Sequence, residues 1–211
     1  MERDELNRML AWLDLRNDAV FNKIPPDRYR YYLDNALAVG AAAAQEFAGQ
    51  SIRTLYQQHD IDIQFDRGDG LFFTVQFRAQ FEFSEKKAIR RVTLYQPSLE
   101  SLQASSGLPL EKIIDIHLAH EFFHFLEYSR KQPVGETLEK VCNVALGPLR
   151  RYSTVAATSE IAAHHFCQLL NDLPFYPTYY DFQWLVESGK QTRQQRDALF
   201  AVSLQEIQQS V

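Results

Sequence analysis

The chain predicts an α+β fold over residues 1–211: amphipathic helices on both sides of a short run of strands, joined in one unit. Three observations predict it. Apolar residues recur at three- and four-residue spacing over residues 3–55 and again beyond residue 109. Between these stretches, residues 61–95 switch to alternation. Finally, 45% hydrophobic and 23% charged residues in 211 is ordinary globular composition, with enough chain for a substantial core. The expected sheet is small and mostly antiparallel, about three strands packed on helices.

Leu6, Met9, Leu10, Leu13, Val20 and Phe21 suit a helix over residues 3–24, broken near Arg16-Asn17-Asp18 and ended by Pro25-Pro26. Pro26 and Asp27 open a second, longer helix whose stripe runs Tyr29, Leu33, Ala36, Leu37, Ala41 to Ala44, Phe47, Ile52 and Leu55. Gly40 and Gly49 fall inside it, where small residues allow close packing against a neighbour. Residues 1–60 therefore read as a helical support region and as the surface through which a protein partner would bind.

Ile61 to Phe65 is a short strand, and Asp66-Arg67-Gly68-Asp69-Gly70 a turn. Phe73, Val75, Phe77, Ala79, Phe81 and Phe83 then alternate with Thr74, Gln76, Arg78, Gln80 and Glu82, the pattern of one half-buried antiparallel strand of about ten residues. Its aromatic stripe reads as core. Ser84 to Lys87 turns the chain into a third strand, Ala88 to Tyr95, ended by Pro97.

Gly107-Leu108-Pro109 starts the helix that carries the chemistry, with Pro109 in its first turn. This helix contains His120-Glu121-Phe122-Phe123-His124. Histidines four apart on a helix have Cβ atoms about 5–6 Å apart on one face, so both rings can reach one ion. Glu121 lies about 100° around the helix from His120, beside such an ion and within reach of its water, which is the place for a general base. With six histidines in the chain, random order gives the pattern with a probability of roughly 1 per cent. Ile114, Leu118, Phe122 and Phe125 bury the opposite side, and His117 sits one turn before His120 at the cleft edge.

Residues 131–135 break this helix, Glu136 to Leu146 reads as another, and Gly147-Pro148 punctuates it. A second polar cluster, Glu160, His164, His165 and Cys167, falls within the helical pattern of residues 158–170. Glu160, His164 and Cys167 share a face to within about 40°, whereas His165 is turned roughly 140° away. Either Glu160 or His164 could thus complete a three-ligand site. Residues 174–180 read as an ordered wrap, and residues 182–208 as a final polar helix with Phe200, Leu204 and Ile207.

The net charge of −5 and the lack of a dense Lys/Arg run argue against a nucleic-acid partner. No stretch approaches 18 uninterrupted apolar residues and the N-terminus has no leader pattern, so the expectation is a cytoplasmic protein with no membrane partner. Two cysteines, Cys142 and Cys167, make no disulfide scaffold and fit a reducing compartment.

On His120-Glu121-Phe122-Phe123-His124 and Ser159-Glu160-Ile161-Ala162-Ala163-His164, residues 60–170 resemble the gluzincin class of zinc metallopeptidases, and most of all its compact ImmA/IrrE-type and minigluzincin members. The resemblance implies a zincin-like catalytic core. It implies one Zn2+ per chain held by His120, His124 and Glu160, Glu121 as general base, a peptide or protein substrate, and the strand at Arg90 to Leu94 as the edge along which an extended peptide pairs. The class often places Asp or Asn one turn after the glutamate ligand, where this chain has His164. Candidates for an oxyanion donor are His164, Tyr152 and Tyr128. Two other activities fit the same residues: a zincin-fold sensor with little or no turnover, and a zinc hydrolase acting on a non-peptide amide.

Overall fold

The structure is a computed structural model describing residues 2–73, 75–147 and 149–209. It is α+β and dominated by helix, as expected. Helix α1 spans Arg3–Arg16, α2 Tyr29–Glu46 and α3 Ile52–Gln58, with 3-10 turns at Phe21–Lys23 and Pro26–Arg28 between the first two. The expected long second helix is therefore interrupted. Gly49, at φ +77°, takes a left-handed turn that a helix cannot continue through, and Ser51 then caps α3 by accepting a hydrogen bond from the Thr54 amide at 3.1 Å.

Strands β1 (Asp62–Asp66), β2 (Leu71–Phe72), β3 (Val75–Gln76), β4 (Ala79–Ser84) and β5 (Ile89–Tyr95) follow. The main sheet has the order β1-β5-β4, parallel between β1 and β5 and antiparallel between β5 and β4. This corrects one expectation: Arg90 to Leu94 belong to the central strand, and the open edges are β1 and β4. The expected ten-residue strand from Phe73 is also split. Phe73, at φ +56°, is fully exposed in a turn, Thr74 lies outside the described residues, and β2 and β3 form a separate ribbon. The fold-back depends on Gly70, where an added Cβ would lie 2.2 Å from the Phe77 carbonyl oxygen. Phe77 is bonded there, its amide donating to Gly70 O at 2.8 Å.

Helix α4 (Gln96–Ser106) has no counterpart in the expected elements: Pro97, expected to end a strand, is a first-turn proline. Gly107, at φ +70°, stops α4, and α5 (Leu110–Arg130) begins after Pro109. Residues 136–146, expected as helix, are a short α6 (Val134–Thr137) and then β6 (Val141–Leu146), which pairs antiparallel with β7 (Leu149–Ser153); Pro148 of the expected Gly-Pro break lies outside the described residues. An apolar run of six residues carries no period that separates helix from strand. Helix α7 (Ala157–Leu170) matches its expectation. The expected final helix is two, α8 (Thr178–Glu187) and α9 (Arg193–Gln209), parted at Gly189, φ +72°.

Two buried clusters hold these elements. One joins α3, β5, α4, α5 and α7 around Phe122, Phe166 and Leu94; the other joins α1, the start of α2 and α9 around Met9, Trp12 and Phe200. Helices α2 and α7 bridge them. They approach so closely that a Cβ on Gly40 would lie 2.4 Å from the Ala162 carbonyl oxygen. Among the described residues no helix is long and apolar enough to cross a membrane.

Candidate metal centre

Helix α5 buries Ile114, Leu118, Ala119, Phe122 and Phe125 on one side, and the 100° step leaves His120, Glu121 and His124 on the other. That polar side faces the first turns of α7. Three potential ligand atoms converge across the gap. His120 Nε2 lies 3.1 Å from His124 Nε2, and the Glu160 carboxylate lies 3.4 Å from each of these nitrogens, Oε2 on His120 and Oε1 on His124. Zinc bonds of about 2.0–2.2 Å in tetrahedral array set ligand atoms roughly 3.3 Å apart, so this donor set fits a small tetrahedral cation.

His164, one turn after Glu160, joins the same group: its ring centroid is 4.7 Å from that of His120, and a nitrogen lies within 4.8 Å of the ligand atoms of His120 and Glu160. It stands farther off than the other three donors. His165 faces away and meets Gln168 at 3.3 Å.

Two histidines are held by carboxylates through Nδ1. His124 Nδ1 donates to Glu127 Oε2 at 3.0 Å, while Glu127 Oε1 accepts from Ser159 Oγ and from the Val134 amide, both at 2.7 Å. His164 Nδ1 donates to Asp14 Oδ2 at 3.0 Å, and the same oxygen accepts from the Tyr176 hydroxyl at 2.8 Å. Each contact fixes the tautomer and turns Nε2 toward the cluster, an arrangement common behind metal-binding imidazoles. Neither Glu127 nor Asp14 was singled out in the sequence. Glu127 had a signal, since it follows His124 by three residues on one helix; Asp14, on α1, had none.

Electrostatics divide the cluster. Burial pushes His120 down to about 4 against the pull of Glu160. Burial acts the same way on His124, but Glu127 and Glu160 outweigh it and carry that ring up to about 10. Glu160 is driven up by burial, yet the two imidazoles hold its carboxyl well below the usual range. Glu121, buried and near Glu160, is pushed up to about 7, with His124 opposing. For His164, Asp14 overcomes burial and raises the ring.

Beside the cluster lies a cavity of about 200 Å³, lined by Arg78, His117, His120, Glu121, His164 and Tyr180 among others. Arg78 sits over the Trp184 ring, 5.0 Å from its centroid, and pairs with Asp181 at 2.5 Å. His117, expected at the cleft edge, lines this cavity; its Nδ1 donates to the Ile113 carbonyl at 2.8 Å, and burial with Arg78 nearby pushes it down to about 3. Tyr128 and Tyr152 are half exposed and line none of it. Compared with protein-family models, with curated proteins and with solved structures, the chain gives no match in any of the three.

Proposed function

We propose that this protein is a zinc-dependent peptidase of the gluzincin kind. The observation that carries the reading is the convergence of His120, His124 and Glu160 to separations of 3.1–3.4 Å next to Glu121 and a cavity. These three side chains would hold the ion, with Glu127 orienting His124. When bound, zinc supplies Lewis-acid polarisation of a scissile carbonyl and lowers the pKa of water toward about 7.

The chain's own residues carry the rest. Glu121 takes the proton of the attacking water and returns it to the leaving amine; a carboxyl raised to about 7 is matched to doing both near neutral pH. His164, its ring fixed by Asp14 and carrying a raised pKa, presents an N–H toward the oxyanion that develops on the carbonyl. Of the three candidates for that role it alone lines the cavity. An extended peptide would pair along the open edge of β4, where Arg78 and Ala79 adjoin the cavity.

The test is cleavage of a peptide library by zinc-loaded protein, read by mass spectrometry. Cleavage is expected in the wild type and absent in Glu121→Gln, which keeps its zinc. A wild type that holds zinc fully yet cleaves no peptide would point to the sensor or to the non-peptide amidase instead.

A further inference from the structure

Apart from its base, the ribbon formed by β6 and β7 belongs to neither core. Its base is anchored, with Val141 buried against the cluster around α1, but beyond Val144 every described residue up to Arg151 is exposed. Apolar side chains stand out on it: Leu146 is 67% exposed, Leu149 66%, Tyr152 52% and Val144 38%. Three more observations say what would cover them.

The first is charge. Residues 140–159 contain no Asp or Glu in a chain of net charge −5, and among the described residues no carboxylate pairs with Arg150 or Arg151. The second is layering. The register pairs Leu146 with Leu149, Ala145 with Arg150, Val144 with Arg151 and Cys142 with Tyr152. At about 3.4 Å per residue, the leucine rung is outermost, the two arginines lie roughly 3 and 7 Å behind it, and the tyrosine about 10 Å behind. The third is direction. Successive strand residues point to opposite faces, so Arg150 and Arg151 collar the ribbon on both sides.

An apolar tip followed within about 7 Å by a cationic collar, stacked along one axis, is the order a bilayer boundary imposes: acyl region, then anionic headgroups. An acidic peptide would match the arginines but gives no reason for leucines to be outermost. We propose that the β6–β7 ribbon is a prong that docks this protein on an anionic lipid surface, Leu146 and Leu149 entering it and Arg150 and Arg151 meeting its headgroups. The expectation of no membrane partner rested on the lack of a spanning segment, which a peripheral prong does not need. Because β7 runs directly into α7, docking would hold the helix bearing Glu160 close to the membrane surface.

The test is co-sedimentation of the full chain with vesicles of phosphatidylcholine alone and with roughly one-third phosphatidylserine. Binding is expected only to the anionic vesicles and should weaken with salt. Arg150→Gln with Arg151→Gln should lower the partition coefficient roughly twentyfold, and Leu146→Ser with Leu149→Ser at least tenfold, by order-of-magnitude reckoning. Thermal melting controls for folding; should the serine pair fail to fold, the glutamine pair decides alone. No binding to anionic vesicles, equal binding to both compositions, or binding unchanged in the ribbon variants would overturn the proposal. So would displacement by soluble polyglutamate together with indifference to the leucine substitutions, which would identify an acidic polypeptide as the partner.

Discussion

His124 and His164 are held in the same way by different means. Each donates through Nδ1 to a carboxylate at 3.0 Å, and each carboxylate accepts further hydrogen bonds, two at Glu127 and one at Asp14 Oδ2. The His124 contact closes within three residues of one helix, whereas that of His164 spans 150 residues and depends on α1 docking against α7. Position separates them as well. His124 stands within 3.4 Å of two other candidate ligands, and His164 stands at the cavity wall. A locally built contact would suit a ring that holds an ion; one relayed through tertiary packing ties the N-terminal helix to the candidate site.

The largest effect is expected at the proposed general base. Glu121→Gln should retain zinc and lose about 10²–10⁴-fold in peptide hydrolysis; loss of zinc would make Glu121 a ligand. The ligand set comes next. Glu160→Ala should weaken zinc binding by about 100-fold or more, and His164→Ala only about threefold, in titrations against a competing chelator. The reverse order would place His164 in the coordination sphere and Glu160 outside it.

The two carboxylates sharpen the contrast. Glu127→Ala should weaken zinc binding about 10–100-fold. Asp14→Ala should leave zinc binding nearly unchanged and lower kcat, while costing about 1–3 kcal/mol in a thermal melt because it strands the Tyr176 hydroxyl and the His164 ring. Equal loss of zinc in both variants would erase the distinction between the two histidines.

The smallest effect is a proton. In chelator-treated protein His124, raised to about 10, carries a proton at pH 7, while His120, lowered to about 4, does not. Zinc held by His124, as proposed, would have to displace it. Binding should therefore release about one proton, and apparent affinity should rise roughly tenfold per pH unit above pH 6 until pH nears the raised pKa. Calorimetry in buffers of different ionisation enthalpy measures the release.

How much of this was legible follows from the range of each interaction. The pairing of His120 with His124, and the common face of Glu160 and His164, are helix periodicity and can be read from spacing. Glu127 lies three residues from His124 on the same helix, but a glutamate at the end of a helix has many uses, so the spacing alone does not single it out. Asp14 depends on how two helices dock, which no local pattern encodes. Among the strands, alternation found β4 and β5 but ran on through Phe73, where a positive φ reverses the chain, and the run Val141 to Leu146 has no period to separate strand from helix. Parallel pairing of β1 with β5, which makes β5 central, is likewise a matter of topology.

Gly40 bears on all of this from a distance. Its missing side chain leaves α2 against the Ala162 carbonyl, two residues along α7 from Glu160. It acts as a shim of zero thickness. A methyl group at that position would need about an ångström more room, and a helix moves as a rod, so the shift would be carried to the other side of α7, where Glu160 meets His120 and His124. Misplacements of that size cost catalytic sites on the order of a hundredfold. The gauge of the candidate metal centre is thus set on the back of the helix, by an atom the chain does not have.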